Sequence, residues 1–185
     1  MLPQDLLPES LESSRLLIRV VRPGDGAVFN AAVHASLPEL VPWLGWVTPP
    51  PTPDESEMDC RRGHARFLLN EDLMAFFFLK ENGALVGGGG LHGADWVARR
   101  FEVGYWANTL YAGRGLMTEG VRALAEHALG PLRANRVFLT VDEQNVRSWR
   151  LAERAGFRLE GVLVNERLNL QGKPRNTRMY ARTPG

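Results

Sequence analysis

Two glycines two residues apart, Gly113 and Gly115, follow the apolar run ending Gly104-Tyr105-Trp106 and lead straight into the helical pattern Leu116-Met117-Thr118-Glu119. Such a pair lets the backbone turn sharply and aim several N–H groups one way. The first turn of the helix adds unpaired N–H groups and the positive end of its dipole. The chemistry this suits is the holding of a phosphate or pyrophosphate. The expected donors are the N–H groups of Ala112, Arg114 and Leu116 beside Gly113 and Gly115, flanked by Tyr111 and Met117, and Arg114 can add a charge. A tight strand-to-helix turn without a ligand fits the same residues. Two familiar phosphate binders do not fit. A P-loop closes with Gly-Lys-Ser or Gly-Lys-Thr, whereas Gly115 is followed by Leu116. A dinucleotide fingerprint needs a third glycine where Thr118 stands, and an acidic residue about 20 residues on, where the chain has Arg133-Ala134-Asn135-Arg136.

Further along, Asn145-Val146-Arg147-Ser148 opens another helix, and Ala155-Gly156-Phe157 with Glu160-Gly161 closes it. Taken with Gly104-Tyr105-Trp106 and the glycine loop, the order and spacing of these pieces resemble the GNAT superfamily of acyl-CoA-dependent N-acyltransferases. Within it the chain most resembles the RimJ/RimL branch of ribosomal-protein N-terminal acetyltransferases. The resemblance runs from Ser14-Arg15-Leu16-Leu17-Ile18-Arg19 to Met179-Tyr180-Ala181-Arg182. It departs from the branch at Leu110, where Gln or Arg usually opens the loop, and at Asn176, where Asp is frequent. The resemblance implies acetyl-CoA as co-substrate. It also implies a mixed α/β fold: a mostly antiparallel central sheet, splayed at the parallel pair of its fourth and fifth strands, with helices on both faces.

On that resemblance the strand ending Tyr105-Trp106 parts from its parallel neighbour, Arg136 to Val141, and the pantetheine arm lies in the gap. Tyr105 and Trp106 would line the arm, or simply fill the core. A backbone N–H of Val103 or of the Tyr105 strand would polarise the thioester carbonyl. Asn145 would bond near the pantetheine, although Asn is also among the best helix N-caps. Ser148 would protonate the leaving thiolate. Glu102 and Glu166 are the two carboxylates placed to act as general base, with a solvated strand carboxylate as the plain alternative for each. Thr118 and Glu119 are expected to be structural, and Glu160 to bond the helix end before it. Trp43, Leu44 and Trp46, in a proline-rich run, would form the substrate-side wall, or pin that loop to the core.

Bulk properties agree. The 185 residues suit one domain over 1–185 with a full core, and 22 Lys+Arg against 21 Asp+Glu leave no excess charge for nucleic acid. The late arginines Arg147, Arg150, Arg154, Arg158, Arg167, Arg175 and Arg178 read as a solvated face. One cysteine, Cys60, excludes an internal disulfide framework and reads as an inert helical thiol. His34, His64, His92 and His127 lack metal-ligand spacing, so no metal site is expected. No apolar run reaches the roughly 20 residues of a bilayer span. Met1-Leu2-Pro3-Gln4-Asp5 lacks the regions of a signal peptide, so a cytoplasmic location is expected. Exposed strand edges allow a homodimer.

For the elements, Arg15–Val21 reads as a strand, and Gly24-Asp25 opens a helix to about Ser36 with Val28, Ala32 and Ala35 inward. Leu37 to Pro53 is too proline-rich for regular structure. Thr52-Pro53-Asp54-Glu55 caps a helix to about Asn70. Met74–Lys80 and Leu85 onward form a hairpin, and Phe101–Trp106 is the next strand. A helix from Gly115 to Ala128 has Leu116, Leu124 and Leu129 inward. Arg136–Val141 is a strand, Asn145–Ala155 a helix, and two last strands flank Gln171-Gly172-Lys173. The expected activity is transfer of acetyl to a protein N-terminal α-amine. The rivals are acetylation of a small-molecule amine and acyl-CoA binding without catalysis.

Overall fold

The computed structural model describes residues 6–185, so the expectation for residues 1–5 lies outside it. In chain order the strands are β1 Ser10–Glu12, β2 Leu16–Val20, β3 Leu73–Leu79, β4 Leu85–Asp95, β5 Arg100–Ala107, β6 Arg136–Asp142, β7 Arg158–Leu168 and β8 Pro174–Arg182. The helices are α1 Gly26–His34, α2 Leu37–Leu40, α3 Pro53–Leu68, α4 Leu116–Leu129 and α5 Val146–Arg154. The strands form one sheet in the order β1-β2-β3-β4-β5-β6-β8-β7. Every neighbouring pair is antiparallel except β5 and β6.

Both faces of the sheet are covered, which is why β3 reads as the unbroken apolar run Leu-Met-Ala-Phe-Phe-Phe-Leu rather than alternating. On one face Phe77, Phe101, Val103, Val137 and Leu139 pack with Val121, Leu124 and Ala125 of α4 and Ala152 of α5. On the other, Phe76, Leu85 and Trp106 meet Phe29 and Val33 of α1, Cys60 of α3 and Val47. The expected start of α3 is present in full: the Thr52 hydroxyl accepts the Glu55 N–H at 3.2 Å, and Glu55 Oε2 accepts the Thr52 N–H at 2.8 Å.

Three expectations need correction. The buried face of α1 is Gly26, Phe29, Ala32 and Val33, while Val28 and Ala35 face out, because Phe29 supplies the bulk that reaches Phe76 and Trp106. The proline-rich segment is not wholly irregular. Pro38 stands in the first turn of α2, where its missing N–H is no loss, and Gly45–Val47 is a 3-10 turn. Glu160 does not bond a helix end; its carboxylate meets the Arg136 guanidinium across the sheet, Oε1 at 2.7 Å from Nη1.

Candidate active site

β5 runs out at Ala107, and Asn108 fixes the exit by donating from Nδ2 to the Leu85 carbonyl at 2.9 Å. A 3-10 turn, Thr109–Tyr111, then leads to Gly113 at φ +77° and Gly115 at φ +74°, the N-cap of α4. Both lie in the left-handed region that glycine enters without strain. Among the described residues, the N–H groups of Gly113, Arg114, Gly115, Leu116, Met117 and Thr118 have no hydrogen-bond partner. The first bonded amide is that of Glu119, to the Gly115 carbonyl at 3.0 Å. This is a cluster of donors at the positive end of a helix, suited to a pyrophosphate. The Ala112 N–H is not part of it, because it already donates to Thr109 O at 3.1 Å within the 3-10 turn. Leu110 is exposed, and the Arg114 guanidinium lies over the Tyr111 ring, 5.5 Å from its centroid.

The loop is clamped from the other end of the chain. Glu119 accepts hydrogen bonds from the Ser13 hydroxyl, the Arg15 N–H and Arg15 Nε, each at 2.7 Å. Arg15 Nη1 goes on to the Arg114 carbonyl at 3.0 Å. Desolvation pushes the Glu119 carboxyl up, but those bonds outweigh it and leave its pKa below the ordinary value. A cavity of about 680 Å³ opens beside the clamp, lined by Ser13, Arg15, Gly115, Thr118, Arg122 and Arg154. Arg15→Ala is therefore expected to weaken CoA binding roughly fivefold, about 1 kcal/mol for a half-exposed ion pair. Pantetheine, which lacks the pyrophosphate, should bind the variant as it binds wild type; calorimetry with the two ligands checks this.

Beyond the loop lies the opened sheet. β5 and β6 pair only at Arg100↔Arg136, Phe101↔Val137 and Glu102↔Phe138. Past Glu102 the strands part, leaving Val103–Ala107 without partners on that side. Tyr105 borders the gap on the α4/α5 side. Its hydroxyl donates to the Ser148 carbonyl at 3.0 Å and stands 2.9 Å from Ser148 Oγ. Burial pushes the Tyr105 phenol up to about 12 against the opposing Ser148 bond, so it stays protonated at physiological pH. Ser148 is presented by the first turn of α5, where Asn145 Oδ1 accepts the Ser148 N–H at 3.2 Å. The cap is real, and it leaves the Asn145 amide nitrogen available.

The opposite face carries a polar row across five strands and the turn before β3. Asp72 Oδ1 is 2.9 Å from His92 Nδ1, and His92 on β4 pairs in register with Glu102 on β5. Glu102 Oε1 accepts the Thr140 hydroxyl of β6 at 3.0 Å. Two residues along β8 from Met179, the partner of Thr140, the Thr177 hydroxyl donates to Glu166 Oε2 of β7 at 2.8 Å. Glu102 and Glu166 thus share one face, and Ser148 and Tyr105 the other, with the gap between them. Desolvation pushes Glu166 up, but the Thr177 and Arg167 bonds prevail and hold it below the ordinary carboxylate pKa. Asn176 bonds Glu143 Oε2 at 2.9 Å and accepts the Asn165 N–H at 3.1 Å, a loop-holding role. Of the row only Glu102 and Glu166 are legible in the sequence; Asp72, Thr140 and Thr177 carry no local signal, and His92 stands out there only as lacking metal-ligand spacing.

Trp106 is 9% exposed and lies in the α1–α3 core, 5.5 Å from Phe29 between ring centroids. Trp43 and Trp46 are both partly exposed, and Trp46 packs edge-on to Trp106 at 6.5 Å. A second cavity, about 430 Å³, is lined by Trp46, Thr48, Pro49, Pro51, Glu55 and Met58. Cys60 is buried, and burial with the nearby Asp25, Glu57 and Asp59 pushes its thiol up to about 12, so it is inert. Among the described residues no group of three or more His, Cys, Asp and Glu could hold a metal, and no helix is long and apolar enough to cross a membrane.

Residues 15–158, with Arg15 of the clamp, the loop, the gap and α5 included, match the acetyltransferase (GNAT) domain family. The chain belongs to the GNAT acetyltransferases. It is an N-acetyltransferase with acetyl-CoA as co-substrate. The chain is similar to "Putative ribosomal N-acetyltransferase YdaF" of Bacillus subtilis (strain 168), 29% identical over 153 residues covering 80% of this chain and 81% of the relative. Among solved structures it resembles RimL, the ribosomal L7/L12 alpha-N-protein acetyltransferase in complex with coenzyme A, at a TM-score of 0.87 and 20% identity over 95% of this chain and 98% of that one. The microcin C7 self-immunity acetyltransferase MccE, in complex with acetyl-CoA and AMP, has the same TM-score of 0.87 at 18% identity, covering 97% and 99%. These two structures confirm the open mixed sheet with its single parallel pair. At such identities they speak for the fold.

Proposed function

We propose that the acceptor of this GNAT acetyltransferase is the N-terminal α-amine of a protein, of ribosomal type, and that the chain acts over 1–185 as one domain in the cytoplasm. The observation that carries this reading is the polar row. Glu102 and Glu166 lie on the α1–α3 face, toward the edge of the sheet formed by β7, every residue of which but Gly161 is exposed. That side admits the end of a chain and offers carboxylates to a cationic amine. The name of the Bacillus relative points the same way.

The chemistry favours an α-amine. With a pKa of about 7.7–8.0, roughly a tenth of it is neutral at pH 7, whereas freeing a lysine at about 10.4 costs on the order of 4–5 kcal/mol. Positioning alone then supplies several kcal/mol of the barrier reduction. The acyl arm lies in the gap past Glu102, where N–H groups of the Val103–Tyr105 strand face the thioester carbonyl. The amine attacks directly, the C–S bond breaks, and Ser148 Oγ protonates the leaving sulfur. Tyr105, protonated and 2.9 Å away, steadies that hydroxyl. Glu102 and Glu166 hold the incoming ammonium by charge. Trp43 and Trp46 form the wall beside it. Neither nucleic acid nor a second copy of the chain is needed.

An acceptor panel tests the reading: peptides with free Ala, Ser or Thr N-termini, the same peptides N-terminally blocked, and free polyamines and amino acids. Turnover confined to the free-terminus peptides is expected. Turnover on free small amines with none on peptides would replace the protein acceptor with a small molecule. CoA binding with no turnover on any amine would leave a binding protein.

A further inference from the structure

We propose that His92 takes the proton from the attacking amine, with Asp72 fixing its imidazole in the accepting tautomer. The inference rests on acetyl transfer within the opened gap, and not on which amine is the acceptor. Asp72 Oδ1 lies 2.9 Å from Nδ1, so Nδ1–H donates to the carboxylate and the lone pair is left on Nε2. This is the orienting arrangement of a base backed by a carboxylate. Among the described residues Nε2 has no hydrogen-bond partner, and the side chain is 36% exposed.

The floor beneath the ring is bare. Gly90 of β4 and Gly104 of β5 face each other in register. A Cβ at Gly90 would come within 2.9 Å of Nε2, and one at Gly104 within 3.1 Å. The ring therefore lies across both glycines, reaching from its own strand to the next. Gly104 is the first residue on this face beyond Glu102, the last β5 residue paired with β6. Nε2 thus rests where the strands separate, at the deep end of the gap. The carboxylates of the row are already engaged: Glu102 by Thr140, Glu166 by Thr177 and Arg167, Asp72 by His92 itself. A purely structural Asp72–His92 tie would explain the Nδ1 bond. It would not explain an unpartnered Nε2 seated over two facing glycines.

In the step, the amine lone pair attacks the thioester carbonyl carbon and a C–N bond forms. The C–S bond breaks, its electron pair leaving on the CoA sulfur. The proton on nitrogen passes to His92 Nε2 and from there to solvent, while the sulfur receives one from Ser148, which regains a proton from solvent as the products leave. Asp72 and the cross-strand neighbour Glu102 offset the imidazolium charge.

Bromoacetyl-CoA tests the placement without an acceptor. It carries an electrophilic carbon at the position of the acetyl methyl; imidazole nitrogen displaces bromide, forming C–N and breaking C–Br. Peptide mass mapping should find the label on His92, suppressed by excess CoA, slowed in Asp72→Asn and absent in His92→Gln. With a Ser-initiated peptide, His92→Ala should lower kcat roughly 100-fold, leave the KM for acetyl-CoA unchanged, and regain part of the rate with added imidazole. Label on other residues with His92 unmodified would overturn the assignment, as would a wild-type kcat in His92→Ala. If the wild type does not acetylate the peptide, the acceptor reading fails while the labelling still decides His92. Failure of the analogue to bind would overturn the acyl-CoA gap and this assignment together.

Discussion

Gly115→Glu is expected to abolish binding of both acetyl-CoA and CoA while leaving the chain folded. Three effects act together at this position. Gly115 holds φ +74° as the N-cap of α4, so any side chain strains the turn that aims the free amides. Those amides, from Gly113 to Thr118, form one cluster, and a shift of the turn misdirects all of them. The new carboxylate would also stand where the phosphates must sit, adding like-charge repulsion at the one place the helix dipole favours an anion. Stability should survive, because a Cβ here meets nothing closer than Arg15 Nη2 at 3.7 Å, and that contact is with a cation. Calorimetric titration should show at least a 100-fold loss of affinity, about 2.7 kcal/mol, with a melting temperature lowered by only a few degrees, the cost of the strained turn. Retained binding would remove the pyrophosphate assignment from this loop.

The loop was legible before the fold because its signal is local: a glycine pair, a helix start and an apolar strand within one stretch of chain. The same holds for α3, where the Thr52–Glu55 capping box needs only four consecutive residues. What depended on distant partners was harder. The Ala112 N–H looked like a phosphate donor until the 3-10 turn supplied Thr109 O. Glu160 looked like a helix cap until register placed Arg136 across the sheet. Glu119 was expected to be structural, but nothing near it in sequence announces Ser13 and Arg15, more than a hundred residues earlier, as its partners. The polar row is the extreme case. Asp72, His92, Glu102, Thr140, Thr177 and Glu166 come from six separate segments, and only the strand order puts them side by side. For His92 the available signal was the glycine run of β4, a feature that often marks a place where something approaches the strand closely.

That glycine run supports the second large effect: Gly90→Ala should lower stability far more than Gly104→Ala, although the two residues face each other. A Cβ at Gly90 would lie 1.9 Å from the Leu73 carbonyl oxygen, a backbone atom that can retreat only by breaking the β3–β4 ladder. Leu73 is itself fully buried against the α4 side, so β3 cannot simply slide away. The cost should be about 3 kcal/mol or more, the upper range for overpacking a filled interior, and the melting temperature should fall by roughly 10 °C at this chain length. At Gly104 the only near atoms are His92 Cδ2 at 3.0 Å and Nε2 at 3.1 Å. The imidazole can give way, so the alanine variant should melt within a few degrees of wild type by differential scanning calorimetry. It should nonetheless lose turnover, because the ring leaves its place at the separation of β5 and β6. A Gly90→Ala protein as stable as wild type would mean that β3 and β4 do not pair in this register. A fully active Gly104→Ala protein would mean that the position of the His92 ring does not matter to the chemistry.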